Sequence, residues 1–457
     1  MFSKETYIAR RAKLKQTIGS GLLLFLGNDE SGMNYADNTY HFRQDSTFLY
    51  FFGLPYAGLS AIIDIDNNRE IIFGDELTID DIVWMGTQPS LKEKSEMTGI
   101  TEIRPSKEIE QYLKAAQQKK QQIHYLPTYR AEHQIKLLQW LGVAPGAEQP
   151  SVPFIYGVVN MRNHKTEEEI VEIEKACVVT ADMHLMAMRT VRPGVRESEV
   201  AAAVSEVAYA HNYELSFPVI ATINGQTLHN HDHSHLIKSG DMLLLDAGAE
   251  TEMGYAGDMS STIPADAKFT SRQKDVYDIQ VAAHEASVAA LRPGVPFVDV
   301  YELSCKVIME GLKDLGFVKG DPMEAVKAGA HAMFMPTGLG HMMGLDVHDM
   351  ENLGEVYVGY NGKPKSTQFG RKSLRLGREL EPGFVLTIEP GIYFIPELMD
   401  LWKSENKFTE FINYEKLFTY KDFGGIRNEE NYLITETGAR ILGKKIPLHT
   451  EEVEAAK

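Results

Sequence analysis

Apolar and polar positions follow several different rhythms along this chain. The opening stretch, MFSKETYIARRAKLKQTI, mixes charged and apolar residues at helical spacing, which predicts a surface helix. GLLLFLG (21–27) is a short unbroken apolar run, as in a buried strand, and AIIDIDNNREIIFG (61–74) has two apolar arms turning at Asn67-Asn68, a hairpin pattern. EIEQYLKAAQQKK (108–120) returns to the helical period. These elements predict one α/β domain over residues 1–157, with the Pro- and Gly-rich VAPGAEQPSVP (143–153) near its end. A second domain, 158–457, follows; its first helix opens at KTEEEIVEIEKACVVTADMHLMAMRTV, where Thr166 and Glu169 stand at capping-box spacing.

Within the second domain the pattern repeats. VRPGV (191–195) and LRPGV (291–295) each close one helical pattern and open another, 100 positions apart. SGDMLLLDAG (239–248) and PGFVLTIEPG (382–391) share a turn glycine, an apolar strand and a carboxylate, with six positions from Gly240 to Asp246 and six from Gly383 to Glu389. Each is followed by a second acid-bearing strand: GYAGDMSSTIP (254–264) holds Asp258, and GGIRNEENYLIT (424–435) holds Glu429 and Glu430. Matching order and spacing predict two related halves, each supplying an acidic strand pair.

Composition narrows the function. The 457 residues are 43% hydrophobic, enough for a substantial core. A formal charge of −18 disfavours nucleic acid and anionic membrane surfaces as partners and suits a cation. No apolar run approaches the ~18 to 20 residues of a membrane span. With two cysteines, Cys177 and Cys305, there is no disulfide framework, and a reducing, cytoplasmic setting is the expectation.

Asp246 and Glu389 each end an apolar run. A carboxylate so close to a buried strand is costly unless it is paired or binds a metal. One such acid suggests a salt bridge; four in two matched pairs suggest carboxylates converging on one or two cations. Oxygen donors with an occasional imidazole suit Mn2+ or a similar divalent ion better than a thiolate zinc site. The imidazole is sought in PTGLGHMMGLDVHD (336–349), where a bent strand could turn one of His341 and His348 to a metal and the other to a substrate. A competing candidate is HNHDHSH (229–235), whose four histidines would share one face if the stretch were extended; its interleaved Asn, Asp and Ser equally suit a polar loop.

The ordered set DAGAETEMGYAGD, GLGHMMGLDVHD, LTIEPGIY and GIRNEENYLIT resembles the five-ligand signature of the Xaa-Pro peptidases, metallopeptidases of the pita-bread fold that include aminopeptidase P and prolidase. FRQDSTFLYFFG (42–53) is similar to their N-terminal domain, so the likeness spans nearly the whole chain. It implies an α/β N-terminal domain and an α+β pita-bread catalytic domain with an internal pseudo-twofold duplication. It also implies that Asp246, Asp258, His341, Glu389 and Glu429 hold two divalent ions, Mn2+ foremost with Co2+ or Zn2+ admissible. Asp258 and Glu429 would bridge ions ~3.5 to 4 Å apart, and a hydroxide held between them would be nucleophilic at neutral pH. Glu389 would be the general base. His348 and His229 match substrate-side histidines that stabilise an oxyanion or shuttle a proton, and Arg427 matches an arginine that orients ligand carboxylates. His231, His233 and His235 are then loop residues beside the site. The chain departs from the family at Thr337, often His; at Ser261, usually Arg; and at Asn428, usually apolar. No ligand is lost.

The basic stretch NGKPKSTQFGRKSLRLGREL (361–380) reads as a solvated loop by charge alone. Yet SLRLGRELEPGFVLTIEPGIYF, and the segment 394–425 with its aromatic residues, resemble the prolidase branch. Arg375 falls on the arginine that pairs there with a dipeptide's terminal carboxylate. The resemblance therefore favours hydrolysis of Xaa-Pro dipeptides, with aminopeptidase P activity on longer peptides as the alternative, and suggests a homodimer. A non-catalytic peptide-binding protein or a metal-free creatine-type hydrolase on the same fold is disfavoured by the intact ligand set.

Overall fold

In the computed structural model, which describes residues 1–457, the first apolar run becomes β1 (Leu22–Leu26), buried from Leu22 to Phe25. Asn67-Asn68 makes the turn between β2 (Ser60–Asp64) and β3 (Arg69–Phe73), with Asn68 at φ 49°. Polar residues with short side chains tolerate that left-handed backbone. With β4 (Glu102–Arg104) and β5 (Ile123–His124) these form one sheet in the order β4-β3-β2-β1-β5, antiparallel across β3-β2-β1 and parallel at both ends. Ile109 and Leu113 of the helix at 109–118 and Leu137 of the helix at 131–141 pack on Leu22, Leu24, Ile62, Ile71 and Phe73.

The first helix, α1 (Lys4–Ile18), lies at the surface as its pattern predicts, but the face it buries, Tyr7, Arg10, Arg11 and Leu14, includes two arginines. Arg11 is fully buried and donates to Glu70 Oε2 (2.8 Å), Phe51 O (3.0 Å) and Thr98 O (2.8 Å). Charge patterning treats arginine as solvent-facing, whereas five fixed donors let it stand inside a fold as a hub for orphaned carbonyls. The helix Val152–Arg162 belongs to the same compact unit, Met1–Arg162, which also takes in Met350–Tyr357.

The second compact unit comprises Asn163–Asp349 and Val358–Lys457. It opens on α2 (Glu167–Thr190), capped by the reciprocal Thr166–Glu169 box. An Arg-Pro-Gly turn leads to α3 (Glu197–Ala210), and a second leads from α4 (Ser271–Ala290) to α5 (Phe297–Asp314). Gly194 donates to Ile237 O and Ile237 to Val195 O; Gly294 donates to Leu380 O and Leu380 to Val295 O. The same backbone exchange thus precedes each acid-bearing strand.

Those strands are β6 (Met242–Ala247) and β8 (Val385–Ile388). β6 runs antiparallel to β7 (Met259–Pro264) and to the short strand Ile220–Thr222, and β8 antiparallel to β11 (Glu430–Ile434). Between β8 and β11 in sequence lie β9 (Gly391–Phe394) and β10 (Gly424–Arg427), which pair antiparallel with each other. The stretch 424–435, read from sequence as one strand, breaks at Asn428-Glu429. Glu429 instead forms a lone antiparallel bridge with Ser260. Nor is 336–349 a strand: it follows β8 through an isolated bridge of Met342 with Leu386 and bonds from Glu389 N to Leu339 O, Thr387 N to His341 O and Met343 N to Val385 O. Gly340 permits this approach, because a Cβ there would lie 2.0 Å from Thr387 O. No helix is long and apolar enough to cross a membrane, and both cysteines are buried and unpaired.

Replacing Arg11 with Ala should destabilise the N-terminal unit by about 3 kcal/mol, since it leaves two carbonyls without their donor and Glu70 with Lys15 alone (2.7 Å). Denaturant unfolding followed by fluorescence would measure this; Arg11→Lys should recover only part of the loss, and a wild-type midpoint for Arg11→Ala would contradict it.

Candidate metal centre

Five acid- or imidazole-bearing positions come from strand ends and breaks. Asp246 lies on β6, in register with Ser260 on one side and Ile220 on the other. Asp258 immediately precedes β7, Glu389 immediately follows β8, and Glu429 occupies the break between β10 and β11. Gly248 lets the two arms of the first pair close, since a Cβ there would stand 1.9 Å from Gly257 O.

Ligand atoms of Asp258, His341 and Glu429, all buried, lie within 4.8 Å of one another. His341 Nε2 is 3.3 Å from Asp258 Oδ2 and 3.8 Å from Glu389 Oε1. Its Nδ1 is 3.0 Å from Met342 O. A carbonyl can only accept, so the proton sits on Nδ1 and the Nε2 lone pair faces the carboxylates, the tautomer a metal ligand needs.

Neutral and cationic groups orient the acids. Arg427 Nη2 donates to Asp246 Oδ2 (2.6 Å), its Nε to Ser260 Oγ (2.9 Å) and its Nη1 to Tyr393 Oη (3.0 Å). Ser260 Oγ in turn donates to Glu429 Oε2 (2.8 Å). Asn431 Nδ2 donates to the main-chain oxygen of Asp258 (2.6 Å). Asp246 Oδ1, Asp258 Oδ1 and Glu429 Oε1 remain buried with no hydrogen-bond partner. Orphaned carboxylate oxygens beside a bare imidazole nitrogen are the donor set of a hard or borderline divalent cation, so these residues fit such an ion.

The electrostatics agree. Burial first, and Asp246 next, push the Asp258 carboxyl up to about 8, against the pull of His348, Arg427 and Arg375. Glu389 is raised mainly by burial, opposed by His341 and Arg427. Glu429 is raised well above the carboxylate range by burial and by Asp258, Glu389 and Asp246. Without a cation Asp258 holds its proton at neutral pH, and the other two acids are shifted the same way.

The remaining candidates divide. His348 stacks edge-on against His341, ring centroids 4.3 Å apart. His229 is exposed as a residue, yet its ring is desolvated enough to fall below the usual imidazole value; Asp246 counters this, while Arg427, Arg375 and His348 reinforce it. Those groups therefore share one electrostatic neighbourhood. Arg375 lies between the buried Leu374 and Leu376, and Tyr360 Oη donates to Leu374 O (2.8 Å). The histidine tract is not extended toward the acids: His233 Nε2 donates to Val219 O (3.1 Å) and His235 Nδ1 lies 2.9 Å from Glu197 Oε2. Glu430 turns away as well, accepting from Tyr432 Oη at 2.7 Å.

Sequence reasoning did not find Ser260, Asn431 or Tyr393. The first two stand two residues beyond Asp258 and Glu429, a repeated spacing that could have flagged them. At the departures, Ser261 Oγ lies 2.8 Å from Nδ1 of the buried His184, and Thr337 Oγ1 is buried without a partner.

Residues 171–436 match metallopeptidase family M24, and residues 7–124 match the aminopeptidase P N-terminal domain. The chain is 29% identical to a human Xaa-Pro dipeptidase over 98% of its own length and 91% of the relative's. It is 30% identical to the Xaa-Pro aminopeptidase of Escherichia coli (strain K12) over 99% and 97%. A solved aminopeptidase P from E. coli with the inhibitor Pro-Leu superposes with a TM-score of 0.80 at 28% identity, covering all of this chain and 98% of that one.

The raised carboxyl of Asp258 sets a pH dependence. Its folded value of about 8 exceeds the ordinary 3.8, so its contribution to stability is complete below pH 3.8 and is lost as pH rises toward 8. A cation competes with those protons. Mn2+ added to metal-free protein should raise the thermal midpoint more at pH 8 than at pH 5 and should release protons, measurable by calorimetry in buffers of differing ionisation enthalpy. Equal shifts at both pH values would contradict this.

Proposed function

Because the chain belongs to metallopeptidase family M24 and is an Xaa-Pro dipeptidase or aminopeptidase, we propose that it is the dipeptidase, with two divalent ions, Mn2+ foremost, held by Asp246, Asp258, His341, Glu389 and Glu429. Names do not decide between the two activities at nearly equal identity. What supports the dipeptidase is Arg375, a cation in the electrostatic neighbourhood of Asp258 and His229 whose main chain is pinned between buried leucines. A guanidinium fixed there suits the free carboxylate of an Xaa-Pro substrate, which a longer peptide lacks at that point.

Bound in the carboxylate cage, the ions would polarise the scissile carbonyl and lower the pKa of a water molecule. The chain's own groups do the rest. Glu389, with its raised pKa, accepts the proton of the attacking water. His348 and His229 donate to the developing oxyanion or return a proton to the proline nitrogen. Arg427 keeps Asp246 aimed through its three bonds.

We also infer that the catalytic unit is an internal duplication with pseudo-twofold symmetry, supported by the recurring Gly-to-acid spacing and by the twin exchanges at Ile237 and Leu380. A homodimer is supported by the helix Ile79–Met85, which leaves Ile79, Val83 and Trp84 at 72, 71 and 84% exposure. Ile79 and Val83, four residues apart, share a face, Trp84 extends the exposed apolar surface beside it, and such a surface favours a partner.

Arg375→Ala should lower kcat/KM for an Xaa-Pro dipeptide by about 10- to 100-fold, the worth of a charge-assisted pair, with tripeptide cleavage far less affected. A wild-type protein that cuts Xaa-Pro-Yaa as well as Xaa-Pro is the aminopeptidase instead. His229→Ala should depress kcat by about 100-fold or more with metal content unchanged; loss of metal would make His229 a ligand. Light scattering should give the mass of two chains, shifting toward one in Trp84→Glu, and a monomeric wild type would overturn the dimer.

A further inference from the structure

A buried polar network lies behind the acids, where a core would ordinarily be apolar. Gln280, on α4, is fully buried. Its Nε2 donates to Pro390 O (2.7 Å) and to Asn428 O (3.3 Å), and its Oε1 accepts from Asn428 Nδ2. Asn428 Oδ1 accepts from Thr262 N (3.1 Å) and Tyr277 Oη (3.1 Å). Pro390 directly follows Glu389, and Asn428 directly precedes Glu429. One amide therefore grips the main chain beside both carboxylates, from a helix that supplies no ligand.

Local structure puts those two places outside the strand ladders. Glu429 stands in the break between β10 and β11, and Pro390 falls between β8 and β9. Neither has the continuous ladder that fixes a strand interior, so their relative position depends on other bonds. Burying an amide among core residues is costly unless its bonds are made, and those of Gln280 are spent on the two ligand-bearing breaks.

We propose that Gln280, through Asn428, is a positioning residue for the metal centre, setting the separation of Glu389 and Glu429. This rests on the assignment of those two acids as ligands. Removing Gln280 would leave the acids present and each still bonded locally, but without the one side chain that ties the two main chains together; supports of this kind typically change metal affinity by 10- to 100-fold. Tyr277 provides the contrast, because its hydroxyl reaches only the far oxygen of Asn428 and neither ligand-bearing main chain.

The test is calorimetric titration of Mn2+ into metal-free wild type, Gln280→Met, Asn428→Leu and Tyr277→Phe, with each thermal midpoint recorded, and the visible spectrum of the Co2+ forms as a second readout. Gln280→Met should bind Mn2+ at least tenfold more weakly and alter the Co2+ spectrum. Tyr277→Phe should lose thermal stability yet keep its affinity within about twofold. Should Asn428→Leu fail to fold, Gln280→Met and Tyr277→Phe still decide. Wild-type affinity in Gln280→Met would overturn the proposal, as would affinities that fall in step with the thermal midpoints in all variants. A wild type that binds no Mn2+, or a Glu429→Ala variant that binds it normally, would instead sink the ligand assignment beneath it.

Discussion

Carboxylates that face one another away from water cannot all keep their charge, and the catalytic unit is arranged around that repulsion. Asp258, Glu389 and Glu429 are each raised by burial and by their acidic neighbours. In a protein already carrying −18, a distant counter-charge gives little relief, because salt screens interactions beyond about 8 to 10 Å. The nearby cations, Arg427 and Arg375, reduce the effect without removing it. The fold must hold the acids together until a cation neutralises them, and its local irregularities follow from that requirement.

Strand ends and breaks are the means. A side chain inside a ladder has its direction fixed by the pleat, and its neighbours on the same face are two residues away. Four acids cannot converge from one uninterrupted sheet. Here Asp258 and Glu389 lie just outside strands, and Glu429 leaves its own strand to bridge to Ser260. The strands bearing these acids then cross-brace: Ser260 on β7 bonds Glu429, and Asn431 on β11 bonds the main chain at Asp258. Glycines with no room for a Cβ, at 248 and 340, allow the segments to approach.

Much of this was legible in the sequence because the signals were local. An acid at the end of an apolar run, as at Asp246 or Glu389, contradicts its surroundings strongly enough to be noticed, and the hairpin at Asn67-Asn68 and the cap at Thr166 follow from chemistry within four residues. What stayed hidden depends on partners far away. Ser260 and Glu429 are 169 positions apart, and nothing beside Gln280 announces that its amide reaches across 148 positions to Asn428. Arg11 misled for the same reason, as its acceptors come from three distant segments. The histidine tract is the opposite case: density along the chain raised it as a candidate, and the reading of His233 and His235 as loop residues agrees with their bonds to Val219 and Glu197. The roles of His229, His348 and Arg375 came from family resemblance, since no pattern within their own segments distinguishes them.

The count of direct cations explains why such a site is left unstable. Arg427 makes one bond to a carboxylate, Asp246, and gives its other two to the hydroxyls of Ser260 and Tyr393. Ser260 and Asn431 are neutral donors that hold Glu429 and the main chain at Asp258 without cancelling any charge. Another buried arginine would stabilise the metal-free fold, but it would occupy the space and the lone pairs a metal needs. Leaving Asp246 Oδ1, Asp258 Oδ1 and Glu429 Oε1 without partners sacrifices stability and keeps those oxygens open to a cation. Rigidity must then come from groups that do not compete for the same atoms, which is the position of Gln280: it holds main-chain carbonyls beside the acids and leaves the carboxylates themselves open.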